Sequence, residues 1–126
     1  MRLKVLIAED EKNAREGLKL LLRDRPLDIR LAADGEEALQ IIRAEPIALV
    51  LADFKMPRLD GFELLKRIKE ESPATEVIIL TGHGTVESAR DAMRHGAYYY
   101  LTKPVDIYEL STLVDHVILE SNLRDE

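Results

Sequence analysis

The chain has 126 residues, which is enough for one domain of ordinary size and too few for a second core of similar weight. Its net charge of -6 opposes contact with nucleic-acid phosphates or anionic lipid, and the absence of cysteine excludes disulfides and thiolate metal sites. The first residues lack the apolar stretch of a secretion signal, and no run is long enough to span a bilayer, so we expect a cytoplasmic protein without a membrane segment.

Five short apolar runs, each followed by residues at helical spacing, alternate along the chain. In chain order, the predicted strands cover residues 5–8, 28–33, 47–52, 77–80 and 98–102. The third run is apolar throughout, as expected of a central strand that is covered on both faces. Strict alternation of strand and helix predicts an α/β fold, with a doubly wound parallel sheet, right-handed crossovers and helices on both faces.

Residues that favour helix ends stand at the expected places. Asp34, Asp60 and Asp106 can cap the second, third and last helices, because a carboxylate accepts hydrogen bonds from free backbone N–H groups. The fourth helix is predicted over about residues 85–95, and Gly96 is well placed to end it.

Chemically active side chains follow the predicted strands. In an open doubly wound sheet the functional crevice lies at the carboxyl ends of the strands, beside the point where strand order reverses. The residues at these ends are Glu9, Asp10, Asp53, Thr81 and Lys103.

If the first and third strands are neighbours, the three carboxylates fall close together and need a compensating cation. Mg²⁺ is the expected ion, because it prefers oxygen ligands and is commonly held by one or two carboxylates together with phosphate oxygens. Lys103 would supply a positive charge and Thr81 a hydroxyl, so the set is typical of a phosphoryl-transfer site. Taken alone, Asp53 is equally typical of a turn, and Lys103 of a surface lysine.

Four sequence stretches together resemble the response-regulator receiver family of two-component signalling. They are the pair Glu9-Asp10, residues 53–61 (Asp-Phe-Lys-Met-Pro-Arg-Leu-Asp-Gly), the pair Thr81-Gly82 and the pair Lys103-Pro104. The resemblance covers essentially the whole chain. It implies a flavodoxin-like, five-stranded parallel sheet with strand order 2-1-3-4-5.

The resemblance also implies roles for the acidic residues. Asp53 would accept a phosphoryl group from a sensor histidine kinase, so that the protein assists its own phosphorylation rather than acting as an enzyme on other substrates. Asp10, Asp53 and the main-chain carbonyl of Lys55 would hold Mg²⁺, with Glu9 acting directly or through water. Glu9 stands where aspartate is frequent in the family.

The remaining roles concern the switch. Lys103 matches the family lysine, with a cis peptide bond to Pro104. Thr81 matches the switch hydroxyl and Tyr100 the aromatic residue that responds to it. Two further positions tune the lifetime of the phosphoryl group in the family, and here they are Lys55 and His83.

Two apolar features lie in the C-terminal part of the chain. Tyr98 and Tyr100 are expected to share one face of the fifth strand, with Tyr99 on the other. The last helix carries an apolar stripe that is wider than packing on a sheet requires, and we expect a homodimer through the fourth helix, fifth strand and last helix. The stripe consists of Leu110, Leu113, Val114, Val117, Ile118 and Leu119.

Residues 81–89 resemble the corresponding loop in receivers of the nitrogen-regulation class, which belong to enhancer-binding activators. We therefore expect a receiver domain over residues 1–120, with residues 121–126 as the start of a linker or tail that leads to an effector controlling transcription. The alternative is a stand-alone regulator that acts by protein contact.

Three other functions are compatible with parts of the sequence. A flavin-binding protein shares the fold but needs a loop rich in glycine or hydroxyl residues after the first strand, where this chain has Glu9-Asp10-Glu11. An aspartyl-phosphate phosphatase would place its nucleophile after the first strand and carry a covering insertion. A receiver that binds partners without phosphorylation would not need the full set of acids and lysine.

Overall fold

Five strands and five helices alternate along the part of the chain that the computed structural model describes, residues 2–124. The strands are β1 (Leu3–Ala8), β2 (Leu27–Ala32), β3 (Leu49–Asp53), β4 (Glu76–Thr81) and β5 (Tyr99–Thr102). The helices are α1 (Lys12–Leu22), α2 (Gly35–Ala44), α3 (Gly61–Glu71), α4 (Val86–Arg94) and α5 (Ile107–Arg124). The predicted alternation is confirmed, and the bounds differ from the predicted ones by a few residues.

The strands form one parallel sheet in the order β2-β1-β3-β4-β5, as predicted. The chain leaves β1 toward β2 on one side and later returns to β3 on the other side, so the strand order reverses at β1. Ala8 is in register with Ala52, which brings the carboxyl ends of β1 and β3 together. This arrangement places the residues after these two strands beside the same crevice.

Each face of the sheet has its own hydrophobic core. Successive strand residues point to opposite faces, so Val50 and Ala52 of β3 belong to one core, and Leu49 and Leu51 belong to the other. All five residues of β3 are buried. Burying a side chain such as Leu51 contributes about 1.5–3 kcal/mol, so the continuous apolar run fixes β3 at the centre of the sheet.

Side-chain caps begin the helices where the sequence predicts them. Asp34 and Asp60 each accept a hydrogen bond from the backbone N–H three residues later, and Asp106 accepts bonds from the N–H groups two and three residues later. A reciprocal capping box joins Thr85 and Ser88 at the start of α4. These caps satisfy N–H groups that lack partners within the helix.

The end of α4 also follows the prediction. The helix ends at Arg94 with His95 as its C-cap, and Gly96 has a φ of 94°. A residue with a β-carbon is strained in this left-handed conformation, so glycine suits the position.

The prediction that Tyr98 and Tyr100 share a face is wrong. Tyr98 lies one residue before β5, so the alternation of the strand does not govern its direction. It packs on the α5 side, where its hydroxyl donates to Glu120 at 3.0 Å, whereas Tyr100 packs on the opposite core. Burial, together with the hydrogen bond and charge of Glu120, raises the pKa of Tyr98.

Most of the apolar stripe on α5 packs against the sheet. Leu110, Val114 and Val117 are buried, Leu113 and Ile118 are partly buried, and Leu119 is 56% exposed. The helix continues past residue 120 to Arg124, and residues 125 and 126 of the predicted tail lie outside the described residues. Among residues 2–124, no helix combines the length and the apolar character needed to cross a membrane.

Candidate functional site

Three carboxylates converge at the carboxyl edge of the sheet. Glu9 and Asp10 directly follow β1, and Asp53 is the last residue of β3. Each offers an oxygen atom, and these atoms all lie within 4.8 Å of one another. Glu9 and Asp53 are buried, whereas Asp10 is exposed. The predicted acidic cluster is therefore formed, with one acid open to solvent.

The backbone at Asp53 is fixed by its neighbours on both sides. Phe54 N–H donates to the carbonyl of Leu80 at 2.7 Å, and Gly61 N–H donates to the carbonyl of Phe54 at 2.8 Å. A β-carbon at Gly61 would overlap the carbonyl oxygen of Asp53. Only glycine lets the start of α3 approach the strand end so closely, and sequence analysis had given Gly61 no role beyond its place in the motif.

Lys103 bridges the two buried acids. Its Nζ atom lies 2.9 Å from Glu9 Oε1 and 2.9 Å from Asp53 Oδ1. Burial alone would lower the pKa of Lys103, but the hydrogen bonds and charges of Asp53 and Glu9 raise it above its ordinary value. The lysine therefore stays charged and balances two carboxylates that would otherwise repel each other.

The backbone around Lys103 connects it to the neighbouring strand end. The Lys103–Pro104 peptide bond is cis, and Lys103 N–H donates to the carbonyl of Thr81 at 2.6 Å. Lys103 thus follows β5 directly and projects across β4 and β3 toward Glu9.

Two of the acidic residues that follow β1, Asp10 and Glu11, have different functions. Glu11 is the N-cap of α1 and accepts hydrogen bonds from Asn13 N–H and Ala14 N–H, and these bonds lower its pKa. Asp10 is exposed as a residue, but partial desolvation of its carboxylate, followed by the hydrogen bond and charge of Glu9, raises its pKa. Glu11 therefore serves the helix, and Asp10 remains at the pocket as an acid whose ionised form is unfavourable without a cation.

The pocket has the chemistry that Mg²⁺ requires. Its donors are carboxylate oxygens, it carries excess negative charge, and Asp10 leaves one side open to solvent. Lys55 is exposed in the loop between β3 and α3, two residues after Asp53. That the main-chain carbonyl of Lys55 is a further ligand of Mg²⁺ stays a prediction.

Thr81 ends the strand next to β3, and Tyr100 of β5 contacts the start of α4. Thr81 is buried at the end of β4, and its Oγ1 accepts a hydrogen bond from His83 N–H at 3.2 Å. The Tyr100 hydroxyl lies 2.7 Å from Ser88 Oγ. His83 is exposed on the loop that leads to α4. Its role in tuning the lifetime of the phosphoryl group stays a prediction.

Arg58 is a residue of the site loop that sequence analysis missed. It has a φ of 70°, in the left-handed region that favours glycine, and its Nη1 lies 3.0 Å from Asp34 Oδ2. The ion pair ties the loop after Asp53 to the start of α2. Nothing in the sequence marks this position, because Arg58 follows Met56-Pro57 without the glycine or asparagine that would indicate a left-handed residue.

The sheet order and the site together define an α/β protein with an acidic pocket in which a lysine bridges two of three carboxylates. The comparison with known proteins identifies the family. A family model described as the response regulator receiver domain matches residues 5–115, and the chain belongs to this family.

Individual relatives support the same assignment. The chain is 38% identical over 113 residues to the response regulator protein PilR of Pseudomonas aeruginosa, covering 90% of this chain and 25% of the relative. It is 34% identical over 121 residues to the transcriptional regulatory protein ZraR of Escherichia coli K12, covering 96% of this chain and 27% of the relative. These relatives agree with the predicted resemblance to the nitrogen-regulation class. The chain thus spans about a quarter of the length of the curated relatives.

A solved structure supports the fold. The receiver domain of the Francisella response regulator 1452 superposes with a TM-score of 0.89 at 33% identity, covering 95% of this chain and 99% of that one. The flavodoxin-like fold predicted from the sequence is confirmed.

Proposed function

We propose that this receiver domain is switched by phosphorylation of Asp53, with the phosphoryl group supplied by a phosphohistidine on a sensor histidine kinase. The observation that carries the proposal is the buried Asp53 carboxylate, held against Lys103 and beside two further acids. An Asp53 oxygen would form the new P–O bond as the P–N bond to the kinase imidazole breaks. The imidazole nitrogen keeps the electron pair of that bond and takes up a proton.

Each neighbour of Asp53 has a separate task in this reaction. Asp10 and Asp53, with the Lys55 carbonyl and Glu9, would hold Mg²⁺, which when bound neutralises charge on the phosphoryl oxygens. The Lys103 ammonium already lies 2.9 Å from Asp53, so a small rotation would pair it with a phosphoryl oxygen. The Thr81 hydroxyl would donate a hydrogen bond to another oxygen. Lys55 and His83 would set how readily water reaches the phosphoryl group.

The signal would leave the site through the surface formed by α4, β5 and α5, the α4-β5-α5 surface. A phosphoryl group adds about -1.5 to -2 charge and three acceptor oxygens, which draw Thr81 and Lys103 inward. Thr81 is the last residue of β4 and Lys103 directly follows β5, so the loops after these two strands would move with them. Tyr100 would reorient with the loops and change the surface that partners contact.

The output that we propose is transcription, through an effector domain that follows a receiver unit of residues 1–120 and a linker starting at 121–126. Two findings support this: a relative is named a transcriptional regulatory protein, and the chain matches about a quarter of such relatives. The alternative is a stand-alone regulator that acts by protein contact. We place the protein in the cytoplasm, and its charge of -6 argues against direct nucleic-acid contact by this domain.

We also propose a homodimer through the α4-β5-α5 surface. Several apolar side chains are exposed there, namely Val86, Met93, Tyr99, Tyr108, Leu119 and Leu123. Sedimentation velocity separates a monomer from a dimer directly.

The central experiment is intact-mass spectrometry after incubation with acetyl phosphate and Mg²⁺. The parent protein should gain the mass of one phosphoryl group, and Asp53→Asn should gain none. Asp24→Asn is a matched control, because it makes the same chemical change at an exposed site away from the pocket, and it should be phosphorylated like the parent.

Other outcomes of this experiment identify the rival functions. Lack of a mass gain in the parent would contradict the proposal and leave a receiver that binds partners without phosphorylation. Steady release of phosphate from external esters would indicate a phosphatase. A yellow purified protein would indicate a flavin site.

A further inference from the structure

The ring of Tyr100 occupies space that glycine leaves open at position 84. A β-carbon built on Gly84 would lie 2.8 Å from the Tyr100 hydroxyl oxygen and 3.0 Å from both Tyr100 Cε1 and the Thr81 methyl carbon. Real β-carbons are almost never found so close to other heavy atoms. Since Gly84 does not have a positive φ, its backbone would tolerate alanine. The constraint at position 84 is therefore steric, with the Tyr100 hydroxyl as the nearest atom and the Thr81 methyl group beside it.

The hydroxyl of the same ring is held by the first turn of α4. Ser88 Oγ lies 2.7 Å from the Tyr100 hydroxyl and 3.1 Å from the carbonyl oxygen of Thr85. Thr85 N–H donates to Ser88 Oγ at 3.0 Å, and Ser88 N–H donates to Thr85 Oγ1 at 3.0 Å. When Ser88 donates its single hydrogen to the Thr85 carbonyl, its oxygen accepts from Tyr100. One hydroxyl thus belongs both to the helix cap and to the contact with the ring.

We propose that Gly84 and Ser88 form a seat for Tyr100, and that Ser88 is a positioning residue that couples the ring to the start of α4. The inference rests on the proposed phosphorylation of Asp53 for its regulatory meaning. The seat itself consists of the space above Gly84, which admits the ring, and the Ser88 hydroxyl, which fixes its outer end.

The seat would couple phosphorylation of Asp53 to the first turn of α4. The Thr81 methyl borders the same space, so a Thr81 side chain drawn toward a phosphoryl group leaves more room for the ring. A seated ring makes its bond to Ser88 and stabilises the first turn of the helix. Binding at Asp53 and seating of Tyr100 then favour each other, and by linkage the loss of the seat weakens binding at Asp53.

The test uses fluorine NMR of protein labelled with 3-fluorotyrosine, which gives one signal for each of the four tyrosines. The Tyr100 signal is assigned by its loss in Tyr100→Phe. Gly84→Ala should move this signal toward the value of the unfolded chain, because the new methyl group expels the ring. Gly82→Ala is the matched control, since a β-carbon at Gly82 meets nothing within 4 Å, and it should leave the signal in place.

The role of Ser88 is tested by affinity for beryllofluoride with Mg²⁺, which mimics the phosphoryl group. Ser88→Ala should weaken binding about two- to tenfold, the value of one hydrogen bond, and Ser88→Thr should restore it. In a Tyr100→Phe background, Ser88→Ala should have no further effect, because the ring then has no hydroxyl to hold.

Three results would overturn the seat. They are an unchanged Tyr100 signal in Gly84→Ala, equal effects of the two glycine substitutions, or an equal loss of affinity on Ser88→Ala with and without the Tyr100 hydroxyl. The last result would assign Ser88 to the helix cap alone. If the parent fails to bind beryllofluoride, the proposed function of Asp53 is contradicted, whereas the fluorine signals still decide whether the seat exists.

Discussion

At the scale of single residues, Arg58 shows how a binding loop can hold an unfavourable backbone conformation. Its φ of 70° costs a residue with a β-carbon about 1–2 kcal/mol relative to the usual right-handed region. In return, its guanidinium reaches Asp34, whose side chain is mostly buried, although the arginine itself is 65% exposed. An ion pair of this kind contributes roughly 0–1 kcal/mol, which does not by itself offset the backbone cost. The surrounding loop must therefore impose the conformation.

This balance predicts different effects for two substitutions that remove the same ion pair. Arg58→Ala keeps the backbone cost, whereas Arg58→Gly relieves it, although glycine also gains freedom in the unfolded chain. We expect Arg58→Ala to lower the free energy of unfolding by about 1 kcal/mol more than Arg58→Gly. Urea denaturation of both variants measures the difference. An alanine variant as stable as the glycine variant would show that residue 58 is not left-handed in solution.

At the scale of secondary-structure elements, sequence patterns predicted the elements better than the directions of side chains at their ends. The positions of Asp34, Asp60 and Asp106 predicted helix starts because capping depends only on local spacing. The predicted direction of the Tyr98 side chain was wrong because it depends on the residue at which β5 begins. The pairing of β5 with β4 determines that residue. Ladder register is a long-range property that alternation within five residues does not contain.

The candidate site also contains long-range contacts that local sequence patterns do not predict. The five residues at the strand ends could be named from the sequence, since parallel strands bring their carboxyl ends to one edge. The bridge from Lys103 to Glu9 joins residues 94 positions apart, and the pairing of Arg58 with Asp34 crosses two elements. Such contacts depend on the packing of whole helices, so a single sequence gives no signal for them.

The exposed part of α5 allows a test of the proposed homodimer. Leu119 and Leu123 are spaced four residues apart on one side of the helix and are 56% and 59% exposed. We expect the parent protein to show a concentration-dependent sedimentation coefficient that rises further with beryllofluoride and Mg²⁺. Leu119→Asp should raise the dimer dissociation constant by at least about tenfold, since a charge would be buried in the contact.

Leu20 provides the matched control for the dimer. It is 59% exposed on α1, which is not part of the proposed α4-β5-α5 contact, so Leu20→Asp makes the same change to an equally exposed leucine. The dimer should form as in the parent. A parent protein that remains monomeric with and without beryllofluoride, or an equal effect of both substitutions, would contradict the proposed interface.

At the scale of the whole molecule, the chain is acidic, and three of its carboxylates meet where it is expected to bind a cation. The protein carries a net charge of -6, and Lys103 balances only part of the negative charge of the acidic pocket. The raised pKa of Asp10, caused by partial desolvation of its carboxylate and then by Glu9, means that the folded state disfavours its ionised form. Asp10 therefore contributes stability below its ordinary pKa, and this contribution is lost as the pH rises through the raised pKa.

Asp10→Asn should consequently have opposite effects with and without metal. Without metal at neutral pH, the variant should be more stable than the parent, because it removes an acid that is ionised there at a cost. The difference should shrink as the pH falls into the range where Asp10 is protonated. With Mg²⁺ at a hundred times its dissociation constant, the parent should gain about 2.7 kcal/mol, whereas the variant, which lacks a ligand carboxylate, should gain much less.

Urea denaturation in a chelator and in Mg²⁺, with NaCl matching the ionic strength, separates metal binding from general screening of charge. Asp24→Asn removes the same charge away from the pocket and should respond to Mg²⁺ like the parent. If Asp10→Asn is less stable than the parent in chelator, the acids do not repel each other as the raised pKa indicates. If it gains as much from Mg²⁺ as the parent, Asp10 is not a ligand. The two results are independent because repulsion among the acids acts without metal, whereas stabilisation by linkage requires the ion to bind the folded chain alone.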